Sequence, residues 1–221
     1  MNFISELERV FHENASAELA APMEAYMKNN FPFLGIKTTP RRTLFKEIWN
    51  LHKEEIKQNT RAIALELYNK KEREFHYCAI EILMKELKKK NQKEDSKLIE
   101  KLIVTHSWWD SVDTIAKYLL GNYLAQFPNE IHNVINRFSN SDNIWLNRSS
   151  ILFQLDYKTK TDSELLFSLC EKHKDSKEFF IQKAIGWALR DYSRFNPKGV
   201  TDFVTTTDLK PLSKREALRN L

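Results

Sequence analysis

Glycine is scarce in this chain: there are 4 in 221 residues, alongside 6 prolines. Few glycines means few tight hairpin turns, which argues against an all-β fold. The two cysteines, Cys78 and Cys170, form no disulfide framework and fit a reduced, cytoplasmic setting. The six histidines are scattered, and no two stand one helical turn apart, so no zinc site is expected. No apolar run approaches the length that crosses a bilayer. The N-terminus, MNFISELERVF, lacks the basic-then-apolar pattern of a secretory signal.

What is plentiful is Glu, Lys, Leu and Ala, residues that favour helix. The length suffices for one domain, or one continuous array, over 1–221. Five amphipathic segments resemble one another: PRRTLFKEIWNL from Pro40, REFHYCAIEIL from Arg73, SWWDSVDTIAKYL from Ser107, NIWLNRSSILFQL from Asn143 and KEFFIQKAIGWAL from Lys177. They align on Leu44, Ala79, Thr114, Ser149 and Ala184, each step being 35 residues. A last segment, LSKREALRNL, places Ala217 a further 33 residues on. Shorter helical stretches lie between: 62–69, 98–104, 130–137, 163–170 and 199–205. Two helices per mid-thirties repeat describe an α-solenoid, and without a TPR consensus the HEAT-like type is preferred. The expectation is an all-α array of about six antiparallel helix pairs with a concave basic face.

Just before each anchor stand Thr43, Cys78, Asp113, Arg148 and Lys183. If the second helix of each pair lines the concave side, Asp113, Arg148 and Lys183 converge there. At about 100° per residue, Trp108, Val112, Ile115 and Leu119 form the apolar stripe of their helix. Trp109 and Asp113, four apart, share another face. Trp109 is then either packed on a neighbouring helix or functional, and the wheel leaves both readings open. In the helix from Lys177, Ile181, Ile185, Ala188 and Tyr192 form the apolar stripe. Trp187 lies opposite with Lys183, Arg190 and Arg194. A tryptophan framed by cations suits nucleic acid, since phosphates take the cations and a base or sugar lies on the ring. A surface cation–π cluster is the plainer alternative.

Arg148 sits in a helix apolar nearly all round and needs a partner. That is either a carboxylate such as Asp142 or Asp156, or a phosphate, which its place beside Asp113 in the ladder favours. Near the N-terminus, GIKTTPRR offers Thr38 or Thr39 as the cap of a helix opened by Pro40. With Lys37, Arg41 and Arg42 nearby, that helix start is either a phosphate site, which the other basic features favour, or an ordinary capped start with solvated charge. The net charge of +5 and pI near 9.0 agree with a nucleic-acid partner without requiring one.

Several stretches carry a family resemblance. THSWWDSVD (Thr105–Asp113), SDNIWLNR (Ser141–Arg148), DSKEFFIQKAIGWALR (Asp175–Arg190), YMKNNFPFLGIKT (Tyr26–Thr38), APMEAYM and PLSKREAL (Pro211–Leu218) resemble the alkylpurine DNA glycosylases of the AlkD type. The resemblance covers nearly the whole chain in register with the repeat. It implies HEAT-like repeats that cradle duplex DNA and release N3- and N7-alkylated purines, such as 3-methyladenine and 7-methylguanine, leaving an abasic site. It places the catalytic carboxylate on Asp113, the flanking aromatics on Trp109 and Trp187, and the backbone-holding arginine on Arg148. It puts Tyr26 and the Lys37–Thr38 turn in a DNA-contact segment. Lys37 replaces a family glutamine, and one extra residue stands near Thr39–Pro40. Neither cofactor nor metal is implied. The expected partner of this monomer is double-stranded DNA with alkylated bases, met at the nucleoid. A non-catalytic DNA-structure binder of the same family is the alternative, and a HEAT scaffold for a protein partner is a third class.

Overall fold

The computed structural model describes all of residues 1–221, and every regular element in it is helical. The repeat class expected from the sequence, all-α with HEAT-like helix pairs, is what is found. Where the sequence reads as one continuous array, the contacts group into two compact units, 1–90 and 91–221.

The first unit runs α1 (Phe3–Glu13), α2 (Ala17–Tyr26), α3 (Thr38–Leu51), α4 (Lys53–Gln58), α5 (Thr60–Tyr68) and α6 (Arg73–Glu86). The Asn2 side chain caps α1 by accepting from the Ser5 N–H, and α1 buries Phe3, Leu7 and Phe11 at helical spacing. Ser16 caps α2. The segment after α2 turns at Gly35 (φ 83°), where a Cβ would lie 2.1 Å from the Ser16 carbonyl oxygen, so only glycine fits. The buried Glu74 carboxylate accepts from the N–H groups of Leu34, Gly35 and Ile36 at 3.0–3.1 Å and fixes this approach to α3. The expected threonine cap is not there. Lys37 is the N-cap without a side-chain bond, Thr38 already opens the helix, and Thr43 Oγ1 donates back to the Thr39 carbonyl.

The second unit runs α7 (Asp95–Val104), α8 (Trp109–Thr114), a π-helical turn (Ile115–Leu120), α9 (Gly121–Gln126), α10 (Ile131–Ser139), α11 (Ile144–Leu152), α12 (Ser163–Lys172), α13 (Phe179–Ser193), α14 (Pro197–Thr206) and α15 (Pro211–Ala217). The nearly uniform apolarity of α11 has the expected consequence: it packs on α10, α13, α7 and the π turn. The main cluster of this unit joins Ile151 and Leu152 of α11 to Ile181, Ala184, Ile185 and Leu189 of α13 and Ala217 of α15.

The 35-residue period appears as physical contacts between equivalent positions of successive helices. Arg148 meets Asp113, and the Asp156 N–H meets Asp191, each 35 residues apart. Ser139 bonds His173, and the Tyr157 hydroxyl donates to the Gly121 carbonyl at 2.5 Å.

One expectation at α8 needs correction. Trp108 is not in the helical stripe: it is the N-cap, with extended backbone (φ −157°, ψ 158°), and its ring packs on Trp145 and Phe180. Ala116 and Leu120 are buried as well as the stripe residues Ile115 and Leu119. A π turn carries more residues per turn than an α-helix, so a constant 100° step stops describing the faces beyond Thr114.

Candidate functional site

The site is built on four helices of the second unit. α8 supplies Trp109 and Asp113, α11 supplies Arg148, α13 supplies Lys183, Trp187 and Arg190, and α15 supplies Glu216. Together with Phe179 and Phe180 these residues line a single pocket of about 420 Å³. The six residues from α8, α11 and α13 are among those singled out from the sequence, and the fold brings them together. Arg194 is exposed at the end of α13 and does not line it.

Asp113 and Arg148 form a two-point ion pair. Arg148 Nε donates to Asp113 Oδ1 at 2.7 Å and Nη2 to Oδ2 at 2.8 Å. A third guanidinium bond, from Nη1, goes to the carbonyl of Phe180. Arg148 is only 4% exposed. Its partner is therefore neither Asp142 nor Asp156: the ladder that pointed toward a phosphate instead places the guanidinium on the carboxylate one repeat away. Such a fork fixes both the position and the plane of the carboxylate. Burial pushes the Asp113 carboxyl above the usual carboxylate range, while its bonds to Arg148 pull in the opposite direction.

The tryptophans sit on either side of this pair in sequence and share the pocket with it. Trp187 is half-buried, leaning on the apolar cluster of the second unit, so it is less exposed than the wheel implies. Lys183 Nζ and Arg190 Nη1, one on each side of Trp187 in the sequence, both meet the Glu216 carboxylate, at 3.0 and 2.9 Å. Those two cations hold the Glu216 carboxyl below its ordinary range.

Three lining residues escape the sequence reading. Phe180 precedes Lys183 by three and Trp187 by seven, so spacing alone places it on their face. Phe179 is 58% exposed at the pocket. Glu216 carries no local signal, because α15 reaches α13 only through tertiary packing.

In the first unit the proposed DNA-contact residues are disposed differently from one another. Tyr26 is 67% exposed at the end of α2. Lys37, Thr38, Thr39 and Arg42 are exposed around the start of α3. Arg41 is not: it is 3% exposed, pairs with Glu81 at 2.7 Å, bonds Cys78 Sγ at 3.4 Å and lies over the Tyr77 ring. Position 41 falls on the inner face of α3 with Phe45 and Ile48, so its charge is spent internally. No group of three or more His, Cys, Asp or Glu residues is arranged to hold a metal ion. No helix is long and apolar enough to cross a membrane.

Helix pairs in register, with an arginine-oriented carboxylate and two tryptophans in one pocket, define a HEAT-like helical-repeat protein. The family model described as DNA alkylation repair enzyme matches residues 7–221, and the chain belongs to that family. Among solved structures, a predicted DNA alkylation repair enzyme from Enterococcus faecalis is similar at 34% identity. The match has a TM-score of 0.83 and covers 94% of this chain and 96% of that one. No curated protein matches the chain.

Proposed function

We propose that the protein is a monofunctional DNA glycosylase. It hydrolyses the N-glycosidic bond of cationic alkylated purines in duplex DNA, among them 3-methyladenine and 7-methylguanine, and leaves an abasic site. The observation that carries the reading is the Asp113 carboxylate, held by two guanidinium bonds in a pocket it shares with Trp109 and Trp187.

The chemistry matches that arrangement. A purine alkylated at N3 or N7 is positively charged and leaves without being protonated. The sugar becomes oxocarbenium-like as the bond breaks, as in glycoside hydrolysis. A fixed carboxylate beside it stabilises the developing charge and can orient or deprotonate water. The indole faces hold a cationic nucleotide by cation–π contact, about 0.5–2 kcal/mol each. Arg148 then serves catalysis by aiming the carboxylate. The exposed cations Lys37, Arg42 and Arg194, with Tyr26, Thr38 and Thr39, supply contacts to the phosphate backbone. An open pocket lined by aromatic faces favours engagement of the lesion through its sugar and backbone.

A duplex carrying one 7-methylguanine tests this directly. The expected result is release of the modified base and an alkali-labile abasic site. Tight duplex binding without release would establish the non-catalytic DNA binder instead, and absence of both would point to a protein scaffold.

A further inference from the structure

Glu216 comes from α15, the last helix, yet it lies in the same pocket as Asp113. It is 8% exposed, and each of its oxygens takes one cation: Oε1 meets Lys183 Nζ at 3.0 Å and Oε2 meets Arg190 Nη1 at 2.9 Å. Those cations are seven residues apart on α13, with Trp187 four after the first and three before the second. All three therefore share one helix face. The close fit of α15 on α13 makes the bridge possible. A Cβ at Gly186 would stand 2.4 Å from the Glu216 Cβ and 2.9 Å from the Ser213 carbonyl oxygen. Ser213 Oγ also donates to the Gln182 carbonyl at 3.0 Å, pinning the two helices together.

The pocket holds three cationic side chains, Arg148, Lys183 and Arg190, against two acids, Asp113 and Glu216. Lysine and arginine arms released from Glu216 would be free to meet duplex phosphates and, inside the pocket, to approach the Trp187 ring and the Asp113 carboxylate that line it with them. Those are the same two groups a cationic nucleobase needs, and a free cation beside it would repel it. We propose that Glu216 is a positioning residue: it draws Lys183 and Arg190 aside and keeps the Asp113–Trp187 side of the pocket open to positive charge. The pocket thereby selects a cationic base over a neutral one. The selectivity half of this inference rests on the glycosylase reading; the positioning half does not.

The test uses the full chain with Glu216→Gln and Glu216→Asp. Binding to undamaged duplex is followed by fluorescence anisotropy across a salt series, and release of 7-methylguanine is followed under single-turnover conditions. Glu216→Gln frees both cations for phosphates, so the log–log salt slope should steepen by about two. Undamaged duplex should bind about tenfold tighter at low salt, while 7-methylguanine release falls about tenfold. Glu216→Asp keeps the charge but is too short to span both cations, so its slope should steepen by about one. It also serves if the glutamine variant does not fold. Wild-type slopes in both variants would overturn the proposal, and so would a lowered melting temperature with an unmoved slope, since a purely structural carboxylate predicts that. If the unaltered protein releases no base, the glycosylase reading fails on its own, and the salt slope still decides whether Glu216 restrains the two cations.

Discussion

Asp113 and Arg148 illustrate how much one side chain's role depends on its partner. The carboxylate is useful only if it is ionised and aimed, and the two-point bond to Arg148 supplies both against the cost of burial. Asp113→Asn should lower 7-methylguanine release by about a hundredfold under single-turnover conditions. The same change leaves a buried guanidinium without its counter-charge and should cost about 3 kcal/mol of stability by urea denaturation. Retention of wild-type rates in a folded Asp113→Asn protein would remove Asp113 from the mechanism. The pH dependence has a defined sign. Burial raises the Asp113 carboxyl, so the acid limb of the rate profile should lie above the ordinary aspartate range. Arg148 opposes that rise, so Arg148→Ala should move the limb to still higher pH. A limb that stays in place would show that Arg148 does not tune this carboxylate.

Helices carry these residues, and two junctions between helices set the tolerances. Gly186 is the contact point of α13 with α15, and the space a methyl group would need is taken by Glu216 and the Ser213 backbone. Gly186→Ala should destabilise by about 2 kcal/mol, measured by chemical unfolding, because the two helices must separate. An unchanged midpoint would mean that the junction yields without cost. At the other end of the chain, His52 joins α1 to the α3–α4 corner. Its Nε2 meets Glu6 at 2.6 Å and its Nδ1 meets Glu55 at 2.9 Å, and Glu55 also accepts the Phe3 N–H. The bond to Glu6, reinforced by Glu55, raises the His52 pKa against the opposing effect of burial. A raised folded-state value means the stabilisation is complete below the unfolded value of about 6.5 and fades as pH rises through the folded one. The gap in urea midpoint between the unaltered protein and His52→Gln should therefore be wider at pH 6 than at pH 9; equal gaps would exclude a charged His52 from the corner.

Across the whole molecule, the net charge of +5 matters through where it is displayed. Binding to undamaged duplex should weaken linearly in log salt, as counterions are released from the phosphates. Lys37→Gln, at the exposed start of α3, should reduce that slope by about one. Arg41→Gln, four residues along, should leave the slope alone and instead cost about 2 kcal/mol of stability, because its guanidinium faces Glu81 inside the first unit. A slope change in Arg41→Gln would show that this side chain turns outward to meet DNA.

The amino-acid sequence by itself determined the helices, their 35-residue period and the shared face of Trp109 and Asp113. These follow from the backbone's own periodicity, which side-chain spacing records directly. It also placed Asp113 and Arg148 as neighbours in a ladder, since stacked repeats bring equivalent positions together. Only the tertiary structure decided that these two bond each other, that Arg41 faces inward and Arg42 outward, and that a π turn shifts the faces after Thr114. It alone brought Glu216 across from the last helix to Lys183 and Arg190. The physical reason is common to the three that involve charge. How deep a charge is buried, and which opposite charge it meets there, depends on how helices distant in sequence pack, and linear spacing carries no measure of that depth.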